Sequence, residues 1–134
     1  NYQGKYANDK LMAAIGIDSR FNHPHSGKGE GDDILTDILP KVAEVLGPLP
    51  CEFQLPTAEI WNFIGNFFSW LNVHCGESLP NLGTTNSVEW CANGYGSGGA
   101  LVVGGSGFGG LAYVDRDWRG ARDVVIAFRF LAMF

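Results

Sequence analysis

The most regular hydrophobic pattern in the chain starts at Thr57. Ile60, Phe63, Ile64, Phe67, Phe68 and Leu71 recur at i, i+3, i+4, i+7, i+8 and i+11, which is the spacing of one broad apolar stripe on an α-helix. Trp61 and Trp70 widen the stripe, so the pattern predicts a helix packed on something large. Thr57 supplies the start, because its hydroxyl can accept from a free amide of the first turn, and Glu59 suits the positive end of the helix dipole. Upstream, Leu35, Ile38, Leu39, Val42 and Leu46 form a second helical stripe behind Asp32 or Asp33 as the cap. Pro40 falls inside it and should kink or split it, and Gly47-Pro48 should end it. Asn8-Asp9 predicts a short first helix running to about Gly16, with Leu11, Met12 and Ile15 inward. Residues 18–31 hold Asn22, His23, Pro24, His25, Ser26 and three glycines and read as a loop.

From Gly76 onward the pattern changes. Gly, Asn and Ser punctuate short apolar runs at Val88 to Trp90, Ala100 to Val103, Leu111 to Val114 and Val124 to Leu131. These predict short strands separated by Gly-rich loops. Helices first and antiparallel strands afterwards give an α+β class rather than an alternating α/β one. The 134 residues fit one domain, 1–134.

Composition narrows the function classes. Apolar residues make up 46 % of the chain and aromatics 13 %, with only 17 % charged, so a real core is expected and disorder is not. The net charge is −5. Its only cationic cluster, Arg116, Arg119 and Arg122, is interleaved with Asp115, Asp117 and Asp123. That argues against nucleic acid as a partner, which requires a basic surface. The run from Ala100 to Val114 is broken by glycines, and no stretch suits insertion into a bilayer. No secretory leader is visible, and the chain opens at Asn1 rather than Met, as a processed or trimmed chain does.

Cys51, Cys75 and Cys91 are far apart and form no C-x-x-C pair, so a zinc site is not expected. They read either as three buried thiols or as one disulfide, Cys75–Cys91, plus a free thiol. His23-Pro24-His25 could chelate a metal if Asp18, Asp32 or His74 joined them, and otherwise reads as a solvent loop with two plain imidazoles. No G-x-S-x-G elbow or phosphate loop is present. No catalytic constellation, metal or cofactor is expected.

Four segments carry a family resemblance. They are Leu55-Pro56-Thr57-Ala58-Glu59-Ile60-Trp61-Asn62-Phe63, Asn86-Ser87-Val88-Glu89-Trp90-Cys91-Ala92-Asn93-Gly94-Tyr95, Val103-Gly104-Gly105-Ser106-Gly107-Phe108 and Ile126-Ala127-Phe128-Arg129-Phe130. In this order they resemble the helix start, the G-N-V-W-E-W-C segment, the R-G-G-S-W segment and the closing G-F-R of the formylglycine-generating-enzyme-like branch of the C-type lectin fold. The resemblance covers about residues 51–131. Residues 1–50 form an unmatched helical and loop part. The resemblance implies a scaffold in which Thr57 caps, Trp61 and Trp90 pack in the core, Gly104 and Gly105 adopt positive φ or let backbone pass closely, and Arg129 pairs with a buried carboxylate, Glu59 or Glu89.

It does not imply the oxidase chemistry. The enzymes place reactive cysteines after G-G-S-W, and the matching segment here, Phe108 to Asp123, has none. The calcium-binding triplets of sugar-binding members are also absent, and Gly107 stands where a Trp is usual. The style is closest to the variable proteins of diversity-generating retroelements and to phage tail-fibre receptor-binding tips. Those relatives imply a non-enzymatic ligand- or receptor-binding domain on a virion or cell surface, with a cell-surface protein or glycan as partner.

The expected binding stretch holds Phe108, Tyr113, Asp115, Arg116, Asp117, Trp118 and Arg119, rich in the ring and Arg chemistry of interface hot spots. The bland alternative places Tyr113 and Trp118 in the core with the arginines in surface ion pairs. A second function class is a structural virion or assembly protein, a homo-oligomer in which Phe67, Phe68, Trp70 and Phe130 to Phe134 pack against neighbouring chains.

Overall fold

The structure, a computed structural model, describes residues 7–134. Helix α1 spans Ala7–Ala14, so Asn8 and Asp9 lie within its first turn rather than ahead of it. Met12 and Ile15 are buried and Leu11 packs partly against the same core. The loop that follows makes one β-bridge, Phe21 to Ala127.

Pro40 splits the next helical pattern. A π-helical turn covers Ile34–Ile38 and α2 covers Leu39–Leu46. Pro40 sits in the first turn of α2, where an amide hydrogen has no intrahelical partner to lose. The split shifts the register of the apolar face. Ile34, Ile38, Leu39 and Val42 are buried, whereas Leu35 and Leu46, expected inside, are exposed. Asp33 precedes the turn, but its side chain does not cap it. Its Oδ2 instead accepts from the Lys28 and Gly29 amides of the preceding loop, at 2.9 and 3.0 Å. Gly47 closes α2 with φ 76°.

The order of elements is less segregated than helices then strands. A short strand β1, Glu52–Gln54, precedes the long helix α3, Ala58–His74. Thr57 caps α3 as expected, accepting from the Ile60 amide at 3.2 Å. Strands β2 (Val88–Tyr95), β3 (Gly99–Gly104), β4 (Val114–Trp118), β5 (Ile126–Ala127) and β6 (Leu131–Met133) follow. The Leu111 to Val114 run is a 3-10 turn at Gly110–Ala112 leading into β4. Strands β4-β3-β2-β5 form one sheet, and β1 and β6 pair in another. Pairing is antiparallel except for β2 with β5, which is parallel. The fold is therefore α+β with mixed rather than purely antiparallel sheets.

Alternation along the strands gives the larger sheet two covered faces. Val88, Trp90, Ala100, Val102 and Ile126 pack with Met12, Ile15, Ile34, Ile38 and Val42 from the N-terminal part. Cys91 and Val103 face the other way, onto Ala58, Trp61 and Leu82. Residues 11–46 thus contribute to the core of the sheet. The β3 end is fixed by Gly104 and Gly105 at φ 87° and 90°. A β-carbon on Gly104 would stand 3.1 Å from the Trp61 ring, so the helix approaches the strand there only because the side chain is missing.

The face that α3 buries is not the face its pattern predicts. Ala58, Trp61 and Gly65 are buried, with Ile64 packed against them. Ile60, Phe63, Phe67 and Trp70 are exposed. The apolar stripe is broad, running from Trp70 and Phe63 round to Trp61, and the helix buries only its Trp61 edge.

Candidate ligand-binding face

The expected binding residues surround β4, an edge strand of the larger sheet. Its register with β3 places Trp118 opposite Gly99, Asp117 opposite Ala100, Arg116 opposite Leu101 and Asp115 opposite Val102. On the far side of Gly99, β2 presents Tyr95 in register. Three strands thus line up as Tyr95–Gly99–Trp118. Since Gly99 has no side chain, the two rings flank a bare strip of backbone.

The result is an open groove of about 440 Å³, walled by Tyr95 and Trp118, floored by Gly96 to Gly99 and edged by Arg116 and Asp117. Trp118 is 59 % exposed and Tyr95 50 %, so the bland placement of Trp118 in the core does not hold. Neither ring is loose. The Arg116 guanidinium lies over Tyr95 at 4.7 Å, and the Lys28 ammonium lies over Trp118 at 5.4 Å. The Trp118 ring also covers Gly120, where a β-carbon would meet it at 2.7 Å. Cation–ring contacts and close backbone restrict the rotamers before any ligand arrives.

The opposite side of β4 forms a second hollow of about 300 Å³. Val88, Val102 and Ile126 line it, Phe108 and Tyr113 stack beside it at 5.2 Å, and Asp115, Asp117 and Asp123 edge it. Tyr113 is part of the core margin, yet its hydroxyl points outward and donates to Asp115 Oδ2 at 2.8 Å. That bond raises the phenol above its ordinary value. The Arg116 amide, and then Tyr113, hold the Asp115 carboxyl below its own.

Arg119 and Arg122 serve the scaffold. Arg119 donates from Nε to the Gly99 carbonyl at 2.9 Å, with its guanidinium packed against Gly94. Arg122 reaches back to the N-terminal loop, donating to Glu30 at 2.9 Å, Asp32 at 2.7 Å and the Asn22 carbonyl at 3.0 Å. Phe108, Tyr113, Asp115, Arg116, Asp117 and Trp118 are therefore at or beside the two hollows, and Arg119 holds the hairpin beneath them. Tyr95 and Gly99 were not among the expected residues. The available signal was an aromatic residue entering the turn Gly96-Ser97-Gly98-Gly99.

His23 and His25 do not converge. His25 is buried, donating from Nε2 to the Cys91 carbonyl at 2.9 Å, with Nδ1 taking the Ser26 hydroxyl at 3.0 Å. Burial lowers its pKa from the ordinary value of 6.5, which matches a neutral imidazole. It packs edge-on to Trp90, so it is a core residue rather than one of two loop imidazoles. His23 contacts the Ser19 carbonyl at 2.8 Å and Asp32 at 3.3 Å. Among the described residues no group of three His, Cys, Asp or Glu is arranged to hold a metal ion.

The cysteines are three separate thiols, so the Cys75–Cys91 bond is not formed, and only Cys91 is fully buried. Cys75 is exposed and Cys51 half-buried, which corrects the expectation of three buried thiols. Burial, reinforced by the Glu89 charge, pushes the Cys91 thiol up to about 12. No helix among the described residues is long and apolar enough to cross a membrane. Set against known protein families, curated proteins and solved structures, the chain matches none of them.

Proposed function

We propose that this chain is a non-enzymatic ligand- or receptor-binding domain of C-type lectin-like fold, whose binding face is the β4 edge. The observation that carries the reading is the pair of exposed rings, Tyr95 and Trp118, held apart across Gly99 beside Arg116 and Asp117. Both rings leave half or more of their surface in water. Rings fixed in place, with charged groups at the edge, give large contact at low entropic cost. The fold assignment draws support from the ion pair between Glu89 and Arg129, which joins two of the segments carrying the resemblance. A non-enzymatic role draws support from the segment Phe108 to Asp123, which carries no cysteine where the oxidases that the chain resembles place theirs.

The partner in this reading is a cell-surface protein or glycan, and the setting a virion or a cell surface. The test is a labelled chain screened on a glycan array and on a panel of surface proteins, beside the double variant Arg116→Ala/Trp118→Ala. Binding by the parent that drops at least tenfold in the variant is the expected result. Equal binding by both, or no binding by the parent to either set, overturns the reading.

A further inference from the structure

The exposed face of α3 carries a second pattern. Ile60, Phe63, Phe67, Trp70 and His74 follow one another at steps of three, four, three and four. That is the heptad seam of a helix packed lengthwise on another helix. The seam is already ordered within one chain, with Phe63 stacked on Phe67 at 6.1 Å and Trp70 tilted over His74 at 5.2 Å. Phe63 is 69 % exposed, Trp70 52 %, Phe67 48 % and Ile60 38 %, and Val73 beside them is 74 % exposed. With about 200 Å² for each large ring, these residues leave roughly 500 Å² of contiguous apolar surface in water, near the upper end for a monomer.

Charge selects the occupant. No Lys or Arg occurs between Lys41 and Arg116. The helix therefore supplies no basic flank of its own to attract an anionic lipid surface or nucleic acid. One flank carries Asn62, Asn66 and Ser69 and the other Ile64 and Leu71, and the charged or titratable residues of α3 are Glu59 in the first turn and His74 in the last. The chain carries a net charge of −5, but along this helix copies have almost nothing to repel with. Placed antiparallel about Phe67, two copies would bring Glu59 of each to within one residue of His74 of the other and oppose their helix dipoles favourably. Pairing would bury about 1,000 Å² in total, where specific interfaces begin.

We infer that the chain forms a homodimer through antiparallel packing of α3 on α3, with Phe63, Phe67 and Trp70 at its centre. This rests on residues the ligand-binding reading does not use, so either can fail alone. The helix is preformed in each subunit, so dimerisation does not have to order it.

The test is sedimentation equilibrium of the whole chain in reductant, from low to high micromolar concentration. The parent should reach twice the chain mass of 14.5 kDa. Phe67→Glu should remain at the single mass with an unchanged circular-dichroism spectrum. Should that variant fail to fold, Phe63→Glu, at the most exposed ring of the seam, takes its place. A parent that stays monomeric throughout overturns the inference, and so does a dimer that survives the substitution. Orientation is read without reductant. Antiparallel packing holds the two Cys75 thiols roughly 24 Å apart at 1.5 Å per residue, so a non-reducing gel should show single chains. A dimer linked through Cys75 overturns the antiparallel arrangement.

Discussion

Arg129 grips Glu89 with two hydrogen bonds of 2.7 Å, one to each carboxylate oxygen, and Glu89 is buried beneath it. The same carboxylate takes the Trp61 indole N–H at 2.8 Å and the Arg20 guanidinium at 3.3 Å. One side chain on β2 thereby ties α3, the N-terminal loop and the closing segment together. A buried charge of this kind is held by its partners rather than by its own solvation, and it specifies which segments meet more than it adds net stability.

Glu89→Gln keeps the shape but removes the buried charge that faces Arg129 and Arg20. The expected loss is about 3 kcal/mol, typical of breaking one side of a buried pair. Urea unfolding followed by tryptophan fluorescence measures it, and a loss below about 1 kcal/mol would mean that water reaches the site.

Acid should unfold the protein in two windows. Burial lowers the His25 pKa, so below the ordinary 6.5 the unfolded chain binds a proton that the folded chain resists, and stability declines as pH falls. For Glu89, burial pushes the carboxyl up, but Arg129 and Arg20 outweigh it and the net shift is downward from 4.5. Its contribution is fully present above about pH 4.5 and is lost as pH falls through the lower folded value. Glu89→Gln should flatten the lower window and leave the upper one. Melting temperature against pH for both proteins checks this.

Trp118→Ala and Trp90→Ala should separate recognition from folding. Trp118 is largely open to water, so its loss should change stability by less than about 1 kcal/mol. Trp90 is fully buried, and its loss should cost about 3–5 kcal/mol. Chemical denaturation of the two variants is the measurement, and a large effect at Trp118 would make it a packing residue.

Gly99→Ala should damage the groove from beneath. The added carbon would stand 2.7 Å from the Tyr95 carbonyl oxygen, a backbone atom that cannot rotate away. The β2–β3 hairpin must shift to admit it, at a cost of about 1–3 kcal/mol. Amide exchange should report faster opening across β2 and β3, and unchanged protection there would refute the close approach.

Thiol labelling should be ordered. Cys75 is exposed and should react with an alkylating reagent first, Cys51 more slowly, and Cys91 only on unfolding, since its thiol is buried and its pKa is pushed up to about 12. Mass spectrometry of a time course in native buffer decides it, and early labelling of Cys91 would show that the core opens around it.

Local chemistry made several features legible in the sequence. Thr57 and Gly47-Pro48 mark helix ends through bonds and torsions that involve only near neighbours, and Pro40, which lacks an amide hydrogen, marks the change from the π-helical turn to α2. The α+β class followed from the change of period after Gly76, and Arg129 needed a buried carboxylate wherever one was found. Tertiary structure decided the rest. Both Glu59 and Glu89 were open to Arg129, and only the strand pairing brought Glu89 beneath it. Ile34 rather than Leu35 faces the core because Pro40 moved the register. Tyr95 meets Trp118 across Gly99 through contacts between three strands distant in sequence. The side of α3 that is buried was not encoded in its period, because the apolar stripe is wider than the face that can be covered, and the fit of Trp61, Ile64 and Gly65 against Leu82 and Leu111 selects its edge.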